Sequence, residues 1–380
     1  MIYFDNAATS FPKPKSVVKA VSEAFVKYGA NPGRGGHEMS VKTAEKVFEA
    51  RQLISDLFNG SGAESVCFTS NCTQALNTAI NGFVNRGEHI VISCFEHNSV
   101  LRPVHLLKEK GIADYSFFNV GKTDDETIDS FKNSLRNNTK MCVITAVSNV
   151  FGDALPLEKI GKIAKEKGIV FVVDSAQGAG VIPINMKEMN IDCLCVPVHK
   201  GLMGPMGTGA IILNGVKPKP LTVGGTGTLS KSFTQPLDLP ENLESGTLNV
   251  PGICGLCEGV RFVLDTGVDK IFSKEHKVCN YIAEKLTQIN GAEVYYPRNN
   301  SIGSLVSFNL KNMHSETVAL LLSQEGVAVR GGYHCSPLAH SFIGTDRMGT
   351  VRISPSFFTQ EKDIKKLLNL VRKIAFHNNL

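Results

Sequence analysis

The sequence predicts an α/β protein with two parts, a large one built on a mainly parallel sheet and a smaller α+β one after it. Three observations carry this. Between about residues 15 and 215, short apolar runs rich in β-branched residues alternate with helical patterns, as in successive βαβ units. Those runs are too continuously apolar to be strands with one solvated face. At 380 residues the chain exceeds what one hydrophobic core usually organises, and its pattern changes after residue 245.

In chain order, the predicted strands are SVCFTS, HIVISC, MCVITAV, IVFVVD, CLCVP and GAIIL, separated by helical segments such as TQALNTAINGFV and PLEKIGKIAKEKG. Residues 215–245 form a Gly-, Pro- and Ser-rich stretch that is long for an idle connection, so a functional segment is expected there. Beyond it come helical patterns near 255–290, a strand at SLVSFNL, a helix near 315–325, strands at VAVR and TVRIS, and a closing helix. We place the boundary near residue 262, giving a large domain over 15–262 and a small domain made of 1–14 and 263–380.

Composition narrows the class of function. A formal net charge of +5, with Lys and Arg scattered rather than gathered in a stripe, gives no expectation of nucleic acid as a partner. No basic segment followed by an apolar one opens the chain, and no run of about 18 apolar residues occurs in it, so neither membrane insertion nor export is expected. A cytoplasmic protein is expected. Of ten Cys, Cys67 and Cys142 lie in apolar runs and read as reduced core thiols, and neither Cys193 with Cys195 nor Cys254 with Cys257 has a second pair to complete a zinc site. No metal is expected.

In an open parallel sheet, ligands bind at the carboxyl ends of the strands, so the polar residues just after each apolar run are the candidates for chemistry. IVFVVD ends in Asp174, with Gln177 soon after; CLCVPV runs into His199 and Lys200; HIVISC leads to His97; and Cys72 and Thr73 open a helix. A lysine at a strand end beside Gly-rich backbone is desolvated enough to act as a nucleophile toward an aldehyde, which suits Lys200. A carboxylate on the next strand end keeps a pyridine nitrogen protonated, which suits Asp174. The helix start at Thr73 offers N–H groups, a hydroxyl and a favourable dipole to a phosphate. Together they point to pyridoxal 5'-phosphate (PLP) held on Lys200.

The chain also resembles the cysteine desulfurases and selenocysteine lyases of the class V, fold-type-I PLP enzymes. The match covers FDNAAT, FTSNCTQALN, EHNSV, VSNVFG, VDSAQGAG, HKGLMGPMGTG, ESGTLNVPG, VRGGYHCSPLAH and GTVRIS in the family's order. It implies a seven-stranded, mainly parallel sheet and a homodimer with shared active sites. For the cofactor it implies Lys200 as the Schiff-base lysine, Asp174 on the pyridine nitrogen, Gln177 on the ring hydroxyl and His97 stacked on the ring. Thr73, His199 and a partner-donated Thr247 would serve the phosphate, Cys72 would be a further cofactor contact, and Asn149 would lie near the ring and the substrate carboxylate. Substrate contacts are implied for Ala7, Arg34, Asn149, Arg330 and Arg352. One departure is Pro197, where many relatives carry a serine hydroxyl.

Cys335 selects the reaction. It lies in a Gly- and Pro-containing loop, next to His334 and five positions after Arg330, cations that favour a thiolate. The resemblance implies that Lys200 takes the Cα proton of L-cysteine, that Cys335 attacks the substrate sulfur, and that L-alanine and a Cys335 persulfide result. The short interval after VAVR resembles group II desulfurases. A selenocysteine lyase, or a class V aminotransferase or racemase in which Cys335 is incidental, stays open, because the same Lys and Asp serve each. The sulfur acceptor, protein or small molecule, is not named by the sequence. GGTGTLSKS at 224–232 is no phosphate loop, since Ser230 stands where glycine is required before the Lys-Ser pair.

Overall fold

In a computed structural model, residues 1–33, 35–295 and 303–378 are described. The strands are β1 (Ile2–Tyr3), β2 (Val66–Thr69), β3 (Glu88–Ser93), β4 (Ala113–Phe118), β5 (Thr139–Thr145), β6 (Val170–Asp174), β7 (Cys193–Pro197), β8 (Gly209–Leu213), β9 (Ala292–Tyr295), β10 (Val306–Leu310), β11 (Val327–Ala328) and β12 (Val351–Ile353). The helices are α1 (Lys15–Lys27), α2 (Glu38–Phe58), α3 (Cys72–Phe83), α4 (Asn98–Glu109), α5 (Asp124–Ser134), α6 (Leu157–Glu166), α7 (Val250–Thr266), α8 (Val268–Thr287), α9 (Ser315–Gln324), α10 (Pro337–Ile343) and α11 (Glu361–Asn378).

The central sheet has seven strands in the order β2-β8-β7-β6-β5-β3-β4. Only β8 runs antiparallel, to both β2 and β7. From β3 the chain moves outward to β4, then crosses back to β5 and proceeds in the opposite direction through β6 and β7. This reversal opens a crevice at the carboxyl ends of β3 and β5, where such sheets bind ligands.

Both faces of the sheet are covered, and period-two alternation explains the unbroken apolar runs. In β6, Phe171 and Val173 join one core layer with Ile54, Phe95 and Leu256, while Val172 joins the other with Leu76, Ile90 and Val104. In β7, Leu194 and Val196 face the first layer and Cys193 and Cys195 the second. Each buried aliphatic or aromatic side chain contributes about 1.5–3 kcal/mol.

A third core gathers Phe4 with Ile282, Leu286, Phe308, Leu322 and Val371. Around it, β9, β10 and β12 form an antiparallel sheet, and β1 pairs parallel with β11. Three strands were absent from the sequence expectation. β4 is an edge strand, partly exposed along ADYSFF; β9 is partly exposed; β1 is only two residues long. The helical region near 255–290 is two helices, divided at Gly267, whose φ of 86° a side chain would strain.

The Gly- and Pro-rich stretch runs without helix or strand, its Val216, Leu239 and Leu243 packed against the second core layer. Its end is anchored by Glu244, which takes a bidentate pair from Arg51 (2.7 and 2.6 Å) and the Phe68 N–H. Both charged side chains are less than a tenth exposed. No described helix is long and apolar enough to cross a membrane. Among the described residues, no cluster of three or more His, Cys, Asp or Glu is placed to hold a metal.

Candidate active site

Four strand ends and one helix start build the crevice. Asp174 ends β6, Lys200 follows β7 by three residues, His97 caps α4 after β3, Thr145 ends β5, and Cys72 and Thr73 begin α3 after β2. Cys72, Thr73, His97, Asn149, Asp174, Gln177, His199 and Lys200 line one cavity of about 110 Å³. Pro197 also lines it, with no hydroxyl to offer. Thr247 does not line it; in the single chain it is exposed on the loop before α7. Arg34 lies outside the described residues.

Asp174 is 2% exposed, and its Oδ1 accepts the Ala176 N–H at 2.9 Å and the Cys72 thiol at 3.7 Å. Burial raises its pKa, and the nearby Lys200 opposes that rise. Lys200 is itself lowered to about 8, by burial first and then by Arg352, with Asp174 pulling the other way. The pair therefore provides a readily deprotonated amine and a carboxylate whose charge a bound cation would stabilise. Cys72 thus braces Asp174 through its thiol.

His97 Nδ1 accepts the Ser99 N–H at 3.0 Å and lies 2.8 Å from the Ser99 hydroxyl. Accepting from a backbone N–H leaves the ring proton on Nε2 in the neutral form. Burial and Lys200 lower the His97 pKa to about 4, so the ring is neutral near pH 7. The Ser99 hydroxyl also meets Thr73 Oγ1 at 3.0 Å, joining two helix starts. His199 is held neutral by burial, its pKa lowered to about 4, and its buried Nδ1 has no partner among the described residues. Beneath the crevice, fully buried Glu96 accepts from Ser93 Oγ (2.5 Å) and Thr145 N (2.8 Å). Burial pushes its pKa up to about 8, so it braces β3 and β5 as a neutral acid at pH 7.

The carboxyl-terminal part supplies the other wall. Arg352 on β12 is 1% exposed; it donates to the Asn149 carbonyl (2.8 Å) and pairs with Asp5 (3.0 Å), while its Nε has no partner among the described residues. Gln177 donates to the Ala7 carbonyl at 2.9 Å. Both ends of the Asn149 amide serve the Cys335 loop: Nδ2 donates to the His334 carbonyl (2.7 Å), and Oδ1 accepts from Ser336 (2.7 Å). The Cys335 carbonyl accepts the Asn98 N–H at 2.7 Å, which ties the loop to the residue after His97.

Cys335 is the one exposed cysteine among the described residues; the other nine are buried. Arg330 Nη2 lies 3.9 Å from its sulfur, and Arg330 is bridged to Arg352 through their backbones. The expectation of a second cation at His334 is corrected. That imidazole is 2% exposed, donates from Nε2 to the Thr350 carbonyl (2.9 Å), and is kept neutral by burial and by Arg352. Ser99, Ser336 and Asp5 were given no role from sequence, although each lies in a motif of the resemblance: EHNSV, VRGGYHCSPLAH and FDNAAT.

Comparison with known proteins places this arrangement among relatives. The class-V aminotransferase family model matches residues 2–367. A probable cysteine desulfurase of Pyrococcus abyssi is 32% identical, over 99% of this chain and 94% of its own. The apo structure of a cysteine desulfurase from Thermococcus onnurineus superposes with a TM-score of 0.90 at 32% identity, covering 99% of this chain and 95% of that one. A cysteine desulfurase from Escherichia coli, 24% identical with a TM-score of 0.87 over 99% of this chain and 94% of its own, shows the same fold. From its first strand to its last helix, the chain belongs to the class-V aminotransferase family.

Proposed function

We propose that the protein is a PLP-dependent cysteine desulfurase that converts L-cysteine to L-alanine and receives the sulfur on Cys335 as a persulfide. The observation that carries this reading is the exposed Cys335, beside Arg330 and tethered through Asn98 and Asn149 to the wall of the Lys200 cavity. The cavity suits PLP: it offers an amine, a buried carboxylate, a neutral imidazole, a His199 Nδ1 without a partner among the described residues and a helix start bearing Thr73. When bound, the cofactor supplies an aldehyde for the Lys200 amine and an electron-withdrawing ring that stabilises charge at the substrate Cα.

The protein's own groups do the rest. Asp174 would keep the ring nitrogen protonated, and neutral His97 would pack on the ring. Arg352 receives the substrate carboxylate in a charge-assisted pair, exchanging part of its bond to Asp5. Lys200 Nζ takes the Cα proton. Cys335 thiolate attacks the substrate sulfur; a sulfur–sulfur bond forms, the carbon–sulfur bond breaks, and the carbon fragment gains protons to leave as alanine. Arg330 balances the thiolate charge.

Thr247 lies outside the cavity of its own chain, which supports a homodimer in which the partner donates it. Exposed Phe233, Leu229 and Leu237 on the same stretch supply apolar surface for that contact. L-selenocysteine as a further substrate, an acceptor for the persulfide sulfur and a cytoplasmic location belong to the same reading. So does the division into 15–262 and 1–14 with 263–380, which the third core supports.

The test supplies L-cysteine and L-selenocysteine separately to the PLP-loaded protein and measures alanine, sulfide or selenide, and mass added at Cys335. Alanine and a persulfide on Cys335 are expected, with both lost in Cys335→Ala. Undiminished alanine in Cys335→Ala would defeat the assignment.

A further inference from the structure

Lys200 sits in backbone that is neither helix nor strand, yet the carbonyl just before it is heavily bonded. His199 O accepts from Ser10 N (3.0 Å), Thr9 Oγ1 (3.1 Å), Ser10 Oγ (3.2 Å) and Lys13 Nζ (2.8 Å). Lys13 Nζ also donates to Ser10 Oγ at 2.6 Å, and that hydroxyl reaches Lys200 O at 2.9 Å. On the opposite side, Gly201 packs so closely on the Ala179 carbonyl that no side chain would fit. The lysine loop is therefore clamped between the segment after β6 and residues 9–13.

We propose that Lys13 is a positioning residue for Lys200, its ammonium joining Ser10 to the His199 carbonyl and so fixing the backbone that carries the reactive amine. This rests on the reading of Lys200 as the cofactor-bearing lysine. That amine must alternate between holding the cofactor and moving a proton, so its stem needs an anchor that does not shift. Lys13 forms no ion pair among the described residues and is partly buried, which lowers its pKa to about 8. A half-desolvated ammonium served by neutral acceptors alone is costly, and the loop bonds are what it gains. Its charge also reaches the His199 ring and helps keep it neutral.

The test compares Lys13→Met and Lys13→Arg. In protein stripped of PLP, hydrogen exchange is read at the Ser10 amide, bonded to His199 O, and at the Met203 amide, bonded to Lys200 O. Lys13→Met is expected to exchange about tenfold faster at both, and the loaded enzyme to lose about tenfold in kcat with KM for L-cysteine nearly unchanged. Lys13→Arg, which keeps charge and donors, is expected to restore both. Wild-type exchange rates in Lys13→Met, or an arginine variant as impaired as the methionine one, overturn the proposal. If Lys13→Met does not fold, Ser10→Ala cuts the link to Lys200 O and is held to the same criterion at Met203. Exchange is read without PLP, so failure of the wild type to take up the cofactor would overturn the proposed function and leave the Lys13 result to stand.

Discussion

Replacing Asn149 by alanine separates the Cys335 loop from the wall of the cavity without touching the thiol. His334 and Cys335 both have left-handed backbone, with φ of 49° and 60°. For non-glycine residues this costs about 1–2 kcal/mol each, so the loop carries about 2–4 kcal/mol of strain. The Asn149 amide holds it with two buried bonds, to His334 O and from Ser336 Oγ. Losing them forfeits about 1 kcal/mol each and strands two buried polar groups, about 2–4 kcal/mol in all. That is comparable to the strain, so the loop should leave its native form. The Arg352 bond to Asn149 uses the backbone carbonyl and survives the substitution. The assay is exchange of the Asn98 amide, whose acceptor is Cys335 O, in protein without cofactor. A loss of about 2 kcal/mol corresponds to about 30-fold faster exchange. Single-turnover persulfide formation should fall at least about tenfold alongside it. Asn149→Asp, which keeps the acceptor for Ser336, should fall between. Asn98 exchange within about threefold of wild type, with persulfide formation intact, would refute the account.

Three further outcomes are expected. Glu244→Gln strands the buried Arg51 guanidinium and should cost about 3–5 kcal/mol, read as a lower urea midpoint. With the Lys200 pKa lowered to about 8, trapping of pyridoxal by borohydride on protein without PLP should rise about tenfold per pH unit below 8 and level above it, because only the neutral amine attacks; a flat profile would contradict this. Glu96 has its folded pKa raised to about 8, so the native state binds the extra proton and stability falls as pH climbs from the unfolded value near 4.5 to about 8. Glu96→Gln keeps both bonds without the charge, and should match wild type near pH 5 in urea unfolding yet exceed it by a few kcal/mol at pH 8.

How far the sequence could be read depended on distance along the chain. Asp174 and Lys200 were legible because each ends or follows an apolar run, and the carboxyl-end rule converts that local fact into a site. β6 and β7 were legible for the same reason: burial on both faces leaves no polar interruption. β4 was not, since an edge strand mixes Asp, Tyr and Ser with aromatics and meets solvent along part of its length. The pairing of Arg352 with Asp5, 347 residues apart, has no local signature. The burial of His334 has none either: beside Cys335 it reads as a cation, and only its burial and the nearby Arg352 guanidinium keep it neutral. Lys13 looks in sequence like any solvated lysine between two prolines.

The pairing of Asp5 with Arg352 and of β1 with β11 carries a consequence for biosynthesis. Residues 2–13 leave the ribosome long before the partners that hold them. At 5–20 residues per second, the 347 positions between Asp5 and Arg352 take on the order of 20–70 s to translate. Throughout that interval the sheet can form, but the lysine loop faces an opening whose far wall does not yet exist. The pocket therefore matures only near the end of synthesis, and truncated chains would present Lys200 to any passing aldehyde without the groups that discipline its chemistry.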